Sequence, residues 1–143
     1  MPDPVRGFEG GAAHVRGRFV PVAEATIPVL DGGFTRSDVT DDVAHARGGA
    51  FFRLADHLER FAASMRKLRL SPPEDMAAIE AVLHRCVALT GLADAYVSMA
   101  CARGVPTVPG SRRLSDCANH LIACAVPRID VLSPEIQARE AAE

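Results

Sequence analysis

The apolar positions of this chain change period twice along its length. From Phe51 to Leu70, the residues Leu54, Leu58, Phe61, Met65 and Leu68 recur at alternating steps of four and three, which predicts one stripe of an α-helix. His57, Arg60, Ser64 and Lys67 form a second, polar stripe beside it at the same steps. A second helix is predicted from about Pro73 to Leu89, with Met76, Ile79, Leu83, Cys86 and Val87 on one face. Ser71 as cap, Pro72 at the first helical position and Glu74 completing a capping box predict its start, and Gly91 its stop.

The flanking segments read as strands. Ala12 to Val22 predicts a hairpin bent at Gly17, and Ala25 to Leu30 a short strand whose Pro28 marks an edge or a bulge. Asp31 to Phe34 reads as a turn. In Arg36 to His45, Val39, Asp41 and Val43 share one face of a strand and Thr40, Asp42 and Ala44 the other, although adjacent acids disfavour a strand and local propensity alone gives a loop. Ala46 to Ala50 turns into Phe51, and the whole predicts an antiparallel meander feeding the first helix. Tyr96–Ala102 and His120–Val126 are the later strands, joined through the loop Arg103 to Arg113. Strands, two amphipathic helices, then strands give an α+β fold: an antiparallel sheet with both helices on one face.

Composition narrows the classes. The 143 residues suit one domain, and 48% apolar content fits a packed core. A formal charge of −2 gives no general reason to expect nucleic acid; Arg66-Lys67-x-Arg69 and Arg112-Arg113 read as solvated charges. No apolar run is long enough to span a membrane, and the start carries no signal-peptide pattern, so a cytoplasmic location is the default expectation. Cys86, Cys101, Cys117 and Cys124 have neither Cys-x-x-Cys nor zinc-ligand spacing, so no metal site is expected; Cys86 and Cys101 read as reduced core residues.

Several motifs then occur in order. They are Glu9-Gly-Gly-Ala, Ile27-Pro-Val-Leu-Asp-Gly-Gly-Phe34, Gly33-Phe-Thr-Arg-Ser-Asp-Val-Thr40, Val43-Ala-His45, Phe52-Arg-Leu-x-Asp-His-Leu-Glu-Arg60, Arg66 to Leu70, and Tyr96-Val-x-x-x-x-x-Arg-Gly104. Together they resemble the class IV (fold-type IV) pyridoxal-phosphate aminotransferases, in particular the (R)-selective amine transaminase branch beside the branched-chain and D-amino-acid enzymes. The resemblance implies the small N-terminal domain over residues 11–127, after a loose arm at 1–10 and before an interdomain linker or tail at 128–143. The large domain that binds pyridoxal phosphate and supplies the Schiff-base lysine is expected to be absent, because Lys67, the single lysine, does not match that position. No catalytic residue is therefore expected in this chain.

The resemblance places the cofactor phosphate on Arg60, whose planar fork can donate two parallel charged hydrogen bonds. Read without it, Arg60 is a solvated helix arginine. The implied substrate wall comprises Arg36, Asp41, Val43, Tyr96 and Ser98, with Arg112 or Arg113 available to a carboxylate. Arg36 and Asp41 depart from the branch, which has histidine and tyrosine there. Either they change specificity, Arg36 receiving a substrate carboxylate, or they are drift or surface charge in a chain without catalytic selection. Two functions follow: the N-terminal portion of an aminotransferase, inactive alone, or a free-standing interaction domain. The partner expected is a second copy, as a homodimer or higher oligomer, since a small domain without its large partner exposes an apolar face, or else the missing large domain itself.

Overall fold

The computed structural model describes residues 1, 3–128 and 132–142. The 128–143 tail expected from sequence thus falls partly outside the described residues, at 129–131 and 143. Six strands form one sheet in the order β2-β1-β6-β5-β3-β4. The strands are β1 (Ala12–Val15), β2 (Arg18–Pro21), β3 (Val39–Arg47), β4 (Ala50–Phe51), β5 (Asp94–Ala102) and β6 (His120–Pro127), and every pairing is antiparallel. The helices are α1 (Gly32–Thr35), α2 (Leu54–Leu68), α3 (Met76–Thr90) and α4 (Pro134–Glu140). The α+β architecture is therefore as expected.

The meander is not. β6 and β5 stand between the β1–β2 hairpin and β3. The physical reason lies in Ala25 to Leu30, which forms no strand: after the 3₁₀ turn Val22–Glu24 it runs unpaired to a turn in which the Asp31 N–H meets the Pro28 carbonyl. Pro28 has no N–H to give a ladder. The chain therefore crosses the end of the sheet, and where a simple turn was expected at Asp31 to Phe34 a helical turn runs over Gly32–Thr35. The Asp31 carboxylate accepts from the Gly33 N–H at 2.7 Å and caps the single turn α1.

β3 forms in spite of its acids because tertiary pairing overrides propensity: all nine of its residues are in register with β5. Its alternation is as read from sequence. Asp42, Ala44 and Ala46 are buried beneath the helices, and Asp41, Val43 and His45 lie on the other face. Ala44, Ala46, Ala95, Ala123 and Ala125 give the helix-side face of the sheet small side chains beside Met99, and Phe61, Ile79 and Leu83 of the helices pack on it with no exposed area. Cys86 and Cys101 join them as free thiols, and burial pushes both up to about 12.

Two helix ends differ from expectation. Leu68, placed on the apolar stripe, is exposed, and Leu70 is buried in its stead. Arg69 adopts φ 56°, so the chain reverses there; Leu70 N–H reaches the Met65 carbonyl and Arg69 N–H the Arg66 carbonyl. This double closure carries the residue after the reversal back onto the core. α3 starts at Asp75, whose carboxylate accepts from the Ala78 N–H at 2.8 Å, later than the capping box at Ser71 implied. Ser71 instead donates its N–H to the Asn119 side chain. Gly91, at φ 64°, ends α3 as expected.

Candidate functional site

Asp42 is the acid on the wrong face of a strand: its side chain is 3% exposed beneath α2. A buried carboxylate needs partners, and α2 supplies two from its polar stripe. Arg60 donates through Nε to Oδ2 at 2.6 Å and through Nη2 to Oδ1 at 2.8 Å. His57 Nδ1 lies 2.8 Å from Oδ1, and the Val43 N–H donates to the same oxygen at 2.8 Å. The three-residue step from His57 to Arg60 places both over one carboxylate. The Arg60 hydrogen bond, helped by those from His57 and Val43 and opposed by burial, holds the Asp42 carboxyl down at about 2; the same bond pushes Arg60 up.

This has a measurable consequence. A carboxyl lowered on folding adds stability above its unfolded value near 4 and loses it as pH falls from about 4 through about 2. The Arg60 side of the pair is open to water, so the contribution is about 1–2 kcal/mol after screening. Asp42→Asn is expected to be less stable than wild type by that amount at pH 7 and equal to it near pH 2. Urea midpoints at the two pH values check this, and a gap that stays constant would refute it.

Asp42 consumes the Nε and one Nη2 donor of Arg60. Nη1 has no hydrogen-bond partner among the described residues, and the Arg60 side chain is 67% exposed. The guanidinium is thus pinned at its back edge and presents charged N–H groups outward, a geometry suited to an anion such as a phosphate. Val43 N–H turns to Asp42 rather than to a strand, on the free edge of β3 where β4 does not reach. Arg60 therefore stands on the helix side of the sheet, over the part of β3 that β4 does not pair.

The opposite face of the sheet holds four of the residues expected to line a substrate wall. Val43 is the register partner of Ser98, Asp41 of Ala100, and Tyr96 of His45. Ser98 Oγ lies 3.1 Å from Cys124 Sγ on the next strand. Tyr96 is 41% exposed, and the Asp41 side chain has no hydrogen bond or ion pair among the described residues. Arg36 and Arg112 are apart from these four, in a concavity of about 30 Å³ beside α1 that also takes in Gly104 and Cys117. Arg113 is exposed in the loop and does not line it. Lys67 is exposed, on the same polar stripe as Arg60.

Sequence reasoning missed Asp42 and His57 as site residues. It also missed two long-range clusters that shape the loop after β5. Asp31, fully buried, bonds His120 Nε2 and accepts from the Gly104 N–H at 3.1 Å. Arg103, 7% exposed, grips Asp38 through Nε at 2.7 Å and donates to the Leu68 and Arg69 carbonyls at 2.8 and 3.1 Å.

No family model matches the chain. It is 26% identical over 123 residues to a putative branched-chain-amino-acid aminotransferase of Methanocaldococcus jannaschii, covering 85% of this chain and 42% of that protein. It is 31% identical over 91 residues to the D-alanine aminotransferase of Listeria innocua, covering 64% of this chain and 32% of that protein. Among solved structures, the T.th. branched-chain amino acid aminotransferase with pyridoxamine 5'-phosphate superimposes with a TM-score of 0.75 at 23% identity, over 90% of this chain and 43% of that one. The chain thus spans less than half the length of the curated relatives it matches. Its sheet and covering helices have the fold of the N-terminal portion of the fold-type IV aminotransferases. Its sequence relatives are branched-chain and D-amino-acid aminotransferases.

Proposed function

We propose that this chain is the N-terminal portion of a pyridoxal-phosphate-dependent aminotransferase, the small domain spanning residues 11–127, in which Arg60 holds the cofactor phosphate. The observation that carries the reading is the Asp42-pinned guanidinium with its outer donors unspent. Pyridoxal phosphate fits those donors, since a phosphate accepts the paired N–H groups of a guanidinium edge. When bound, the cofactor supplies the electron sink for moving an amino group between an amine or amino acid and a keto acid. This chain's contribution is to anchor the phosphate through Arg60 and to line the substrate side with Asp41, Val43, Tyr96 and Ser98. Arg36 and Arg112, which lie apart from those four, would be the groups available to a substrate carboxylate. In this reading the Schiff-base lysine comes from outside these 143 residues, since Lys67, the single lysine, does not match the position that the resembled family uses. The reading takes the cytoplasm as the compartment of the whole enzyme.

Titration of the purified chain with pyridoxamine 5'-phosphate and with pyridoxamine tests this. The phosphorylated compound is expected to bind more tightly, and Arg60→Ala to lose about tenfold of that preference. Equal affinity for the two compounds would overturn the assignment. Borohydride reduction after incubation with pyridoxal phosphate is expected to leave no adduct on Lys67; a stable one would mean that the chain builds its own cofactor site.

A second reading, a free-standing interaction domain, is favoured by the exposure of Val29, Leu30 and Phe34, each 66% or more open in one short segment beside α1. Such a run is unusual on a monomer's surface. This reading expects self-association as a dimer or larger. Light scattering over a wide concentration range checks it, with a constant monomer mass as the contrary result.

A further inference from the structure

We infer that His57 governs the anion affinity of the Arg60 site: when it is protonated, it converts a neutral Asp42–Arg60 pair into a cationic cluster that holds a phosphate monoester more tightly. The inference rests on the phosphate reading of Arg60 above and adds a proton to it.

Asp42 is ionised, its carboxyl held at about 2, so it only accepts hydrogen bonds. His57 Nδ1, 2.8 Å from Oδ1, must therefore carry the hydrogen. Arg60 Nη2 lies 3.3 Å from that nitrogen, and both donate to the same carboxylate oxygen. Their approach is thus a contact between two donors, tolerated because one anion lies between them. With Nδ1 committed, a proton is gained or lost at Nε2, which has no hydrogen-bond partner among the described residues on a ring that is 23% exposed.

The charge follows directly. Asp42 and Arg60 cancel, so with neutral His57 an incoming dianion meets a trio of no net charge. One proton on Nε2 makes the trio +1. Other charges near His57 are largely paired among themselves. On α2, Arg53 and Asp56 pair at 2.6 Å. On α3, Glu80 and His84 lie 3.9 Å apart. At the far end of β3, Asp94 lies 3.3 Å from both His45 and Arg47. Glu59, next to Arg60 on α2, and Asp41 on β3 are exposed acids that lower the field at every pH and do not give it a slope. Exposed Arg36 and Lys67 raise it equally at every pH. By linkage, binding of the anion takes up a proton at His57, and the site holds its ligand more weakly as pH rises.

Sulfate is the probe, because its charge stays at −2 across the range. Its affinity for the purified chain, followed by NMR at the Arg60 Nε–H signal, is expected to fall about tenfold from about pH 5.5 to about pH 8. His57→Gln should keep the high-pH affinity and lose the slope. Asp42→Asn, which keeps an acceptor for the guanidinium but removes the opposing charge, should bind more tightly than wild type at the higher pH. A flat wild-type profile, or an undiminished slope in His57→Gln, overturns the inference and leaves the Arg60 assignment standing. Absence of sulfate binding at every pH, or binding indifferent to Arg60→Met, overturns the assignment itself and the inference with it.

Discussion

Gly104→Ala is expected to yield no stably folded protein. Gly104 follows β5 at φ +78°, where an L side chain costs about 1–2 kcal/mol by itself. Sterics add far more. A Cβ at this position would lie 1.9 Å from the Ala118 carbonyl oxygen and 2.9 Å from its carbon, both backbone atoms that no rotamer can move aside. The neighbouring bonds offer no slack either. Gly104 N–H donates to buried Asp31, the Gly104 carbonyl accepts from the Gly32 N–H at 2.9 Å, and Ala118 N–H meets the Val105 carbonyl at 3.0 Å. Relieving the clash means opening the loop against α1 and breaking several buried bonds together. A loss above about 4 kcal/mol follows, a large share of a typical domain's stability. Gly110 is the internal control: its φ is +74°, yet nothing lies within 4 Å of its missing Cβ. Gly110→Ala should cost only the conformational part. Circular dichroism and urea unfolding of the two variants separate the terms, and a Gly104→Ala protein within about 1 kcal/mol of Gly110→Ala would refute the steric account.

How much of this was legible beforehand follows from the range of each interaction. The helices and the alternation of β3 show in the sequence because periodicity is local. That Asp42 faces inward was readable from its alternation with Ala44. A carboxylate on a buried face implies a cationic partner, and the polar stripe of α2 offered His57 and Arg60 at the right spacing; combining the two signals would have found the trio. The Asp31–His120 and Arg103–Asp38 pairs are different. They join residues 89 and 65 positions apart, and no pattern along the chain announces either. The strand expected at Ala25 to Leu30 failed for a related reason, since a run of apolar residues does not say whether a neighbouring strand exists to receive it. The reversal at Arg69 was hidden because left-handed backbone is expected of glycine or asparagine, and here an arginine adopts it.

That reversal is where Arg103 acts, and Arg103→Met is expected to destabilise the chain by about 3–5 kcal/mol. The side chain bonds Asp38 through Nε at 2.7 Å and Nη2 at 3.2 Å, and both groups are largely shielded, 8% and 18% exposed. Hydrogen bonding to Asp38 raises the Arg103 pKa further, so the charge is permanent wherever the chain is folded. Methionine fills similar volume but leaves Asp38 ionised without its partner, which is the costly half of breaking a buried pair. It also strips donors from the Leu68 and Arg69 carbonyls, which lie at the α2 terminus where no intrahelical partner remains. Adding Asp38→Asn to Arg103→Met removes the stranded charge and should recover part of the loss, so the two changes are expected to be non-additive in urea unfolding. Additive losses would mean that the carbonyl bonds, and not the ion pair, carry the effect. Salt should matter little, because the pair is shielded from the solvent ions that weaken exposed ones. The consequence reaches the site through one rigid element. α2 carries His57 and Arg60 in its first half and is clamped at its other end by Arg103. Loosening that clamp lets the helix shift over β3, and the alignment of the Arg60 fork on Asp42 depends on that packing.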